Sequence, residues 1–545
     1  MRRVIIPSAV LVPQELQNMG KLPPIIYPVN QNIVFDFLYK QYNNIAESFN
    51  IACFEGADKI HRCLEKYESE KIHLIDLQIL EDLGHTIYHS MDFDSDIPII
   101  INFADTIVMC DIFENDIDCF FYQEDYVNDQ WTYFEEQEGV ITDIIDKQSI
   151  CSEEKKKLFV GVFQISYPKD FKKCLEWAFN STTNISTFYS AIKMYSEMHP
   201  MIPIHTSDWF DIGHVDKYYS SSLEVKAREF NHITIDKKRG ILRKTSIDKE
   251  KFIGEIMWYL KLPHDIEYVR PRIFQYSINY NNPYIEMEYY AYHTVHELYL
   301  YSDLSYSQWK NIFKRIKFIC DDFFRYRVND SKIRLSLEDM YLNKTQTRLE
   351  VLRRNVSFKP FFENAFYVND IKYQSLDAIM DKLQEIIENM LYDVESFCII
   401  HGDLCFANIM VDPNFNFIKM IDPRGKFGYY DIYGDKRYEL AKLFHSIDGK
   451  YDFIIKDLFQ IDVDMNKLSI QYNVFDRVRD YDLFEIFISV FKEDINKDKS
   501  KIELIEALLF LSMIPLHNES QKHQFAMLAT GIQILNRVIN IREDI

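Results

Sequence analysis

The chain contains little glycine, no long apolar run and no paired cysteine motif. Only 14 of its 545 residues are glycine, and none of them forms the Gly-x-Gly-x-x-Gly loop that cradles phosphates in several folds. No apolar run approaches the eighteen or so residues of a membrane span, so we expect no membrane-spanning helix. Nine scattered cysteines without a Cys-x-x-Cys pair argue against a disulfide framework or a zinc site and indicate reduced thiols in a cytoplasm.

Basic residues are scarce relative to acidic ones. The chain has 62 Lys and Arg against 84 Asp and Glu, a net charge of −22. Such a surface disfavours binding to a phosphate backbone, so we expect no nucleic-acid partner. It suits cationic small molecules, although surface charge is first a determinant of solubility. Residues 1–13 loosely imitate a signal peptide, but Pro7 and Pro13 interrupt the apolar run and a short first strand is expected instead.

Apolar residues, at 47% of the chain, are ample for buried cores, and 545 residues indicate two or three domains.

One stretch organises the second half: residues 401–410 (HGDLCFANIM), followed by Asp422-Pro-Arg-Gly. Short apolar runs around a turn at 412–414 predict a hairpin, with Asp403 and Asn408 on the loop before it and Asp422 at its far end. Phosphoryl transfer from a nucleotide needs this set. One carboxylate orients the attacking hydroxyl, while an amide and a second carboxylate hold Mg²⁺ on the phosphates.

The spacing His-x-Asp-Leu-x-x-x-Asn matches the catalytic loop of kinases, with a Gly in place of its Arg and Asp-Pro-Arg in place of Asp-Phe-Gly. With these replacements the region resembles the aminoglycoside phosphotransferase and choline kinase family of small-molecule kinases. The resemblance implies an α+β, protein-kinase-like bilobal domain in which Asp403 is catalytic and Asn408 and Asp422 bind metal. Arg424 is a further candidate for contact with phosphate or substrate. The alternative is a polar turn in an inactive kinase-like domain.

A small lobe is expected over about 223–295 and a helical lobe over about 296–545. Hydrophobic periodicity and turn residues predict the elements of both lobes. The expected elements are strands at 232–236, 240–245 and 284–290 and helices at 249–260, 309–326, 376–391, 437–445 and 501–514. Ser375 is placed to cap the helix over 376–391.

In kinase-like folds a strand Lys grips the nucleotide phosphates and pairs with a helix Glu. Lys244 and Glu255, eleven residues apart in the expected order, are assigned these roles, and Arg243 is the alternative to Lys244. Since no Gly-rich loop is present, the cover over the phosphates must be unusual. The candidates for it are the run 228–231 and the turn 237–240.

The first 222 residues alternate strand-like and helix-like segments, which predicts a largely parallel sheet covered by helices. In such sheets ligands bind beyond the carboxyl ends of the strands. The expected elements are strands at 3–7, 72–75, 99–101 and 158–163 and a helix over 33–39.

Three strings in this region, in this order and at these distances, resemble the sugar-nucleotide pyrophosphorylase family of nucleotidyltransferases. They lie at residues 20–30, 102–106 and 209–219. The resemblance implies an α/β nucleotidyltransferase-like domain with a Rossmann-like mixed sheet. In it Lys21 would contact a phosphate, Asp105 and Asp211 would bind Mg²⁺, and CTP or another NTP would be the nucleotide.

The chain departs from that family in the loop after its first strand, residues 8–19. The family has a Gly-rich loop there, whose bare backbone N–H groups cradle the nucleotide phosphates. Here the loop contains no glycine, and Pro13 removes a donor. Two interpretations stay open: a domain that serves binding or assembly without turnover, and an active nucleotidyltransferase.

We therefore predict a nucleotidyltransferase-like domain over residues 1–222 and a kinase-like phosphotransferase domain over 223–545. The predicted activity is Mg²⁺-dependent transfer from ATP or GTP to a hydroxyl of a sugar or small alcohol. The fusion resembles bacterial capsular polysaccharide biosynthesis proteins, which implies cytoplasmic, consecutive phosphorylation and activation of a building block. Two alternatives are a nucleotidyltransferase with a regulatory kinase-like half and a non-catalytic scaffold of capsule assembly. The sequence leaves the oligomeric state open.

Overall fold

The computed structural model describes residues 1–67, 70–91, 95–108, 117–148, 155–181, 184–214, 231–236, 238–477 and 479–542. The chain divides into two compact units, Met1–Val225 and Lys226–Ile545. The predicted domain boundary after residue 222 lies within 215–230, outside the described residues, and stays a prediction.

The first unit alternates strands with helices along most of its length. Its strands are β1 (Arg2–Ser8), β2 (Pro28–Val29), β3 (Asn32–Ile33), β4 (Ala46–Cys53), β5 (Ile72–Asp76), β6 (Ile99–Asn102), β7 (Thr106–Val108), β8 (Cys119–Tyr126), β9 (Thr132–Gln137), β10 (Val140–Asp146), β11 (Lys155–Ile165), β12 (Ile202–His205) and β13 (Trp209–Asp211). Its helices are α1 (Val34–Tyr42), α2 (Ala57–Leu64), α3 (Leu83–Ser90), α4 (Pro168–Phe179) and α5 (Thr187–Met198), with short 3-10 turns at Gln14–Met19 and Pro24–Ile26. Each strand and helix expected from the sequence has a counterpart here.

In the described part of this unit nine strands form a mixed sheet. Its order is β10-β9-β11-β6-β1-β4-β5, with β8 paired to β11 and β12. The run β6-β1-β4-β5 is parallel, as is the β12–β8 pair. β11 is antiparallel to β6, β8 and β9. The expectation of a largely parallel sheet is therefore wrong for the half built around β11, which alternation of strands and helices alone does not reveal.

An aromatic core lies between this sheet and helices α4 and α5. Phe159 of β11 stacks on Phe134 of β9 at 4.4 Å between ring centroids, and Phe120 meets Phe134 edge-on at 4.9 Å. Phe171 of α4 and Phe188 of α5 close the cluster from the helical side. Burial of a side chain of this size stabilises the fold by about 1.5–3 kcal/mol. The core thereby supports the sheet whose strand ends carry polar residues.

The second unit begins with a four-stranded antiparallel sheet, which forms the small lobe with one helix. The strands are β14 (Asn231–Asp236), β15 (Ile241–Ser246), β16 (Ile273–Ser277) and β17 (Tyr284–Glu288), in the order β14-β15-β17-β16, and the helix is α6 (Lys249–Lys261). Asp248 caps α6, its side chain accepting from the N–H of Lys251 at 3.2 Å. The helix ends before Pro263, as the sequence predicted.

The rest of the unit is mostly helical. Its helices are α7 (Val295–Tyr301), α8 (Tyr306–Phe324), α9 (Lys332–Leu337), α10 (Lys344–Arg353), α11 (Lys359–Glu363), α12 (Leu376–Leu391), α13 (Lys436–Ile447), α14 (Tyr451–Ile454), α15 (Leu483–Val490), α16 (Lys492–Met513) and α17 (Gln521–Val538), with a π-helical turn at Glu338–Asn343 and 3-10 turns at His264–Val269, Phe406–Asn408 and Ile514–Leu516. Short strands join them: β18 (His293–Thr294), β19 (Arg327–Val328), β20 (Phe366–Val368), β21 (Ile371–Tyr373), β22 (Phe397–Ile399), β23 (Ile409–Val411), β24 (Ile418–Met420), β25 (Tyr433–Gly434), β26 (Phe459–Asp464) and β27 (Ser469–Val474). Ser375 caps α12 through the N–H of Ala378, as expected. α16 starts nine residues before the expected 501, with a kink at Asp498.

The predicted hairpin is present as the antiparallel pair β23–β24, in which Ile409 lies opposite Met420. Asp412 closes its turn, because its carboxylate accepts from the N–H groups of Asn416 and Phe417, each at 2.6 Å. Asp403 and Asn408 precede the hairpin and Asp422 follows it. Among the described residues, no helix combines the length and apolarity that a bilayer crossing requires.

A buried ion pair fixes the start of α13 behind the hairpin. Asp435, 1% exposed, caps α13 and accepts from the Arg437 guanidinium at 2.8–3.1 Å. Arg437 also donates to Asp393 at 2.8 Å and to the carbonyl of Leu391 at 2.7 Å, which joins α12 to α13. Tyr341 donates to the same Asp435 carboxylate at 2.9 Å. Asp435 therefore has a structural role.

We expect Arg437→Ala to destabilise the second unit by about 3–5 kcal/mol, because it leaves the Asp435 carboxylate buried without its partner. Thermal unfolding followed by circular dichroism would measure the loss. The matched control is Arg354→Ala, which removes an exposed guanidinium just beyond α10. Equal melting temperatures for the two variants would contradict the assigned role.

Candidate functional site

The loop that carries Asp403 is held from behind by Glu439 of α13. One carboxylate oxygen of Glu439 accepts from the N–H of His401 at 2.6 Å and the other from the N–H of Gly402 at 3.0 Å. Burial raises the pKa of Glu439 to about 7, against the lowering effect of these two donors. Gly402 has a left-handed φ of 75°, and a Cβ there would lie 3.0 Å from Cβ of Arg424. Glycine is therefore needed where the kinase loop has Arg.

His401 braces the loop. It is fully buried and its Nε2 donates to the carbonyl of Ile421 at 3.0 Å, which joins the loop to the residue before Asp422. Burial lowers the pKa of His401 to about 4, so the ring is neutral near pH 7. Trp258 of α6 packs edge-on against this ring and donates to the carbonyl of Ile400 at 2.7 Å.

Asp403 lies between an ammonium and an amide. Lys442 of α13 places its Nζ 2.8 Å from one carboxylate oxygen. The side-chain amide of Asn408 donates to the other oxygen at 3.2 Å and to the Asp403 carbonyl at 2.8 Å. Burial opposes ionisation, but the Lys442 charge outweighs it and holds the pKa of Asp403 below its ordinary value. Asp403 is thus a fixed, ionised carboxylate whose side chain keeps 41% of its surface exposed.

The ammonium of Lys244 lies between two carboxylates. Its Nζ is 2.8 and 2.9 Å from the two oxygens of Glu255 and 2.7 Å from Oδ1 of Asp422. The predicted Lys–Glu pair and the predicted metal carboxylate are therefore brought together. Burial raises the pKa of Glu255 to about 7, against the lowering effect of Lys244. Arg243, the alternative to Lys244, instead pairs with Glu286 at 2.7 Å.

Asp422 is presented in a strained conformation. Its φ of 57° is left-handed, which is uncommon for a residue with a Cβ, and its N–H donates to the hydroxyl of Tyr259 at 3.1 Å. Three residues on, Gly425 also has a left-handed φ of 65°, and a Cβ there would lie 2.1 Å from the carbonyl of Gly254. The segment after the hairpin thus lies directly against α6, one residue from Glu255. Such strain is common at sites that bind ligands.

The candidates for a phosphate cover are described only in part. Residues 228–230 and residue 237 lie outside the described residues. Asp236 accepts from the N–H groups of Lys238 and Arg239 at 3.1 and 3.2 Å, and Gly240 has a φ of 63°. These contacts make a tight turn between β14 and β15, and its role as a phosphate cover stays a prediction.

Asp105 and Asp211, which are more than one hundred residues apart in the chain, come together in the first unit. Strand β13 pairs with β7, and the carbonyl of Asp105 accepts from the N–H of Ile212 at 2.8 Å. A Cβ at Gly213 would lie 2.7 Å from an oxygen of Asp105 and 3.1 Å from one of Asp211, so both carboxylates border this glycine. Burial and then the Asp211 charge raise the pKa of Asp105 to about 6. Nδ1 of His214 lies 2.6 Å from Asp211.

Two nearby carboxylates that repel each other are stabilised by a divalent cation, and carboxylate oxygens are the ligands Mg²⁺ prefers. The arrangement therefore fits the metal site predicted from the sequence. Residues 215–219, the end of the third string, lie outside the described residues. Lys21 is exposed, and within the described ranges it forms no ion pair with either Asp105 or Asp211.

The glycine-free loop after β1 is closed by its own packing. Leu16 and Met19 are fully buried, and the N–H of Val12 donates to the carbonyl of Leu22 at 2.9 Å. Within the 3-10 turn, the N–H of Leu16 donates to Pro13 and that of Gly20 to Gln17. These three backbone donors are used internally and cannot face a phosphate, which favours the interpretation without turnover.

Sequence reasoning missed Glu439 and Lys442 as site residues. They lie three apart on α13, so they share one helical face, and both contact the loop that carries Asp403. Their spacing is visible in the sequence, but no neighbouring sequence signal shows that this helical face contacts residues 401–403. Lys344 and Arg348 of α10, near the same loop, were also missed, because they lie some sixty residues away in the chain.

No family model matches the chain, and no curated protein matches it. Among solved structures, an inositol-1-phosphate CTP transferase from T. maritima is 15% identical over 42% of this chain and 98% of its own, with a TM-score of 0.34. The CTP:phosphocholine cytidylyltransferase LicC from Streptococcus pneumoniae is 16% identical over 41% and 98%, with a TM-score of 0.33. The aminoglycoside phosphotransferase APH(4)-Ia is 9% identical over 58% and 94%, with a TM-score of 0.38.

The two architectures expected from the sequence are present. The first unit has a mixed α/β sheet covered by helices, and the second has a small antiparallel lobe followed by a helical lobe. At these identities and TM-scores the likeness says nothing about substrate.

We expect Gly425→Ala to lower the melting temperature of the second unit more than Gly240→Ala does. Both positions have a left-handed φ, which costs a residue with a Cβ about 1–2 kcal/mol. The Gly425 Cβ would also overlap the Gly254 carbonyl, whereas the Gly240 Cβ meets no atom within 4 Å. Thermal unfolding of the two variants separates the cost of a left-handed φ from the cost of atomic overlap. Equal decreases in melting temperature would contradict the close approach of Gly425 to Gly254.

Proposed function

We propose that the second unit is a Mg²⁺-dependent small-molecule kinase that transfers the γ-phosphoryl group of ATP or GTP to a hydroxyl of a sugar or small alcohol. The observation that carries the proposal is that five side chains form two contact groups, which are joined where the N–H of Ile421 donates to the carbonyl of Asn408 at 3.1 Å. These are Lys244, Glu255, Asp403, Asn408 and Asp422. This set supplies a phosphate-binding cation, a carboxylate for the acceptor and two oxygen ligands for a cation.

Lys244 would bind the nucleotide phosphates, and Glu255 would hold its ammonium in place. Asn408 and Asp422 would hold Mg²⁺. The Asn408 amide nitrogen already donates to Asp403, which leaves its oxygen to act as a ligand. Mg²⁺ takes hard oxygen ligands, so these residues fit it. When bound, the ion neutralises charge on the phosphates.

Asp403 would orient the acceptor hydroxyl toward the γ-phosphorus and accept its proton. As the bond between the acceptor oxygen and this phosphorus forms, the bond to the bridging oxygen breaks and ADP or GDP leaves. The lowered pKa makes Asp403 a weak base, so its main contribution is position. Lys442 keeps the carboxylate ionised and fixed, and is a positioning residue in this step.

We propose a second, separate nucleotide site in the first unit, where Asp105 and Asp211 hold Mg²⁺ and CTP or another NTP binds with Lys21 on a phosphate. The paired carboxylates support cation binding. The internally bonded loop after β1 argues against rapid turnover. A domain that binds a metal nucleotide without fast transfer accounts for both observations.

The biological setting we propose is cytoplasmic synthesis of a surface or capsular polysaccharide precursor in a bacterium, with the two units acting on one building block. The seven cysteines that the structure describes are buried and lie outside any disulfide, which agrees with a reducing compartment. The pairing of the two folds in one chain is the support for consecutive steps, and it is an argument by analogy.

Mg²⁺ with ATP or GTP should raise the melting temperature of the wild-type protein, by an amount equivalent to about 2.7 kcal/mol when the ligand is at 100 times its Kd. Asp422→Ala should abolish this shift, because it removes a metal ligand and a partner of Lys244. Asp403→Asn should keep the shift yet lose about 10²–10⁴-fold of phosphoryl transfer to a hydroxyl acceptor. The control Asp381→Ala removes an exposed carboxylate of α12. Wild-type transfer by Asp403→Asn would overturn the kinase assignment.

The first unit should bind Mn²⁺, used as a probe for Mg²⁺, and Asp105→Ala should weaken that binding at least about 10-fold, a loss of 1.4 kcal/mol. Electron paramagnetic resonance counts free Mn²⁺ directly, and it is applied to Asp422→Ala protein so that the other site is silent. Asp208→Ala removes an exposed carboxylate three residues before Asp211 and should leave affinity unchanged. Equal affinity in the Asp105 and Asp208 variants would remove the proposed metal site.

A further inference from the structure

Four basic side chains gather near Asp403 and Tyr438 in the helical lobe. We call them the basic cluster, and its members are Lys344, Arg348, Arg424 and Lys442. Lys442 pairs with Asp403 at 2.8 Å. Arg424 donates to the hydroxyl of Tyr438 at 3.0 Å, and the Lys344 ammonium lies 5.8 Å from the centroid of the same ring.

The basic cluster has too few neighbouring carboxylates to balance its basic side chains. Within the described part of the chain, Lys344, Arg348 and Arg424 form no ion pair with any carboxylate, and Arg348 donates to the carbonyl of Ser512 at 3.1 Å. Burial first, and then Arg424, Arg348 and Lys442, lower the pKa of Lys344; Asp403 opposes them. Burial and then Arg424 also lower the pKa of Arg348. Gathering cations without counter-charges is costly, and an anion at this place would relieve the cost.

The helix that supplies two of these cations has an irregular start. A π-helical turn, Glu338–Asn343, leads directly into α10. Such turns are rare and shift the faces of the helix that follows, and they are frequent at functional sites. Lys344 and Arg348 are four residues apart and so share one face, although like charges at this spacing repel. The bond from Tyr341 to Asp435 fixes the turn in place.

The basic cluster borders the place where the acceptor must lie. A general base has to touch the hydroxyl whose proton it takes, so the acceptor contacts Asp403. Lys442 touches Asp403 directly, and the backbone N–H of Arg424 donates to the carbonyl of His401 at 3.0 Å, two residues before Asp403. Among the described residues, none of the four cations contacts Lys244 or Glu255, which mark the nucleotide end.

We propose that the acceptor is an anion: a hydroxyl compound that already carries a phosphate or a carboxylate group, bound by Lys344, Arg348 and Arg424. The proposal rests on the kinase function proposed above and names its substrate class. It is the reverse of what the net charge of −22 suggests, because the side chains beside Asp403 and Tyr438 are mostly basic. The guanidinium groups suit phosphate and carboxylate equally, since each binds both in a forked geometry.

Binding is tested first with inorganic phosphate as the probe. The protein is saturated with Mg²⁺ and a non-hydrolysable ATP analogue, which fills the γ-phosphate position, and phosphate is titrated by calorimetry. We expect saturable binding that weakens at least 10-fold in Lys344→Ala and in Arg348→Ala, is partly restored in Lys344→Arg and is unchanged in Arg354→Ala. Phosphate binding that is absent from the wild type, or equal in all variants, overturns the proposal.

The same titration without nucleotide separates the two proposals. If the analogue does not bind but phosphate does, and Lys344→Ala removes that binding, the kinase function fails and the anion site stands. If the analogue binds and phosphate does not, the anion site fails and the kinase function stands. If phosphate binds only without the analogue, the cluster serves the transferred phosphoryl group and an anionic acceptor is excluded.

Turnover is tested with acceptors matched in shape. Glucose 6-phosphate and glucose, glyceric acid and glycerol, and the cations choline and kanamycin are compared by ADP release. We expect ADP release with an anionic member above its neutral partner, and the phosphate and carboxylate arms show which group is preferred. Lys344→Ala should raise the KM for that acceptor at least 10-fold with little change in the KM for ATP. Preference for a neutral or cationic acceptor overturns the proposal.

Discussion

The ammonium of Lys244, shared between Glu255 and Asp422, is the interaction on which the second unit depends. It joins strand β15, helix α6 and the segment after the β23–β24 hairpin, three elements separated by up to 178 residues in the chain. Each partner is buried or half-buried, so removal of one would leave a costly charge. The close approach of Gly425 to Gly254 brings the segment near enough for this contact. Together with the bond from Trp258 to the carbonyl of Ile400, these contacts join the small lobe to the helical lobe.

The pattern of the sequence predicted the local elements of this site well. The loop with Asp403 and Asn408, the hairpin and the capped helix over 376–391 are set by short-range signals: turn residues, apolar runs and a serine cap. The pairing of Lys244 with Glu255, expected from kinase-like folds, is present, and their role in nucleotide binding stays a prediction. What could not be predicted is which distant helix faces meet the loop, because that depends on packing between elements far apart in the chain.

Two outcomes show this limit. Lys442 pairs with Asp403, and Lys344 and Arg348 lie near Tyr438, yet the sequence around Lys344 and Arg348 does not mark them as site residues. The antiparallel path of β11 in the first unit was equally hidden, since a buried apolar run looks the same in either direction. In both cases contacts between distant elements determine the outcome. The negative net charge of the chain does not predict the basic side chains found near Asp403.

In the functions proposed above, both units neutralise phosphate charge, but with different side chains. The second unit uses a strained Asp, an amide and a lysine that bridges two carboxylates. The first brings two aspartates together but closes the loop that would supply backbone donors.

The most direct test of the central claim is a crystal structure of the protein with Mg²⁺ and a non-hydrolysable ATP analogue. We predict Mg²⁺ about 2.0–2.1 Å from an Asp422 oxygen and from the Asn408 amide oxygen, with Lys244 on a phosphate. A nucleotide bound without contact to these three residues would contradict the account.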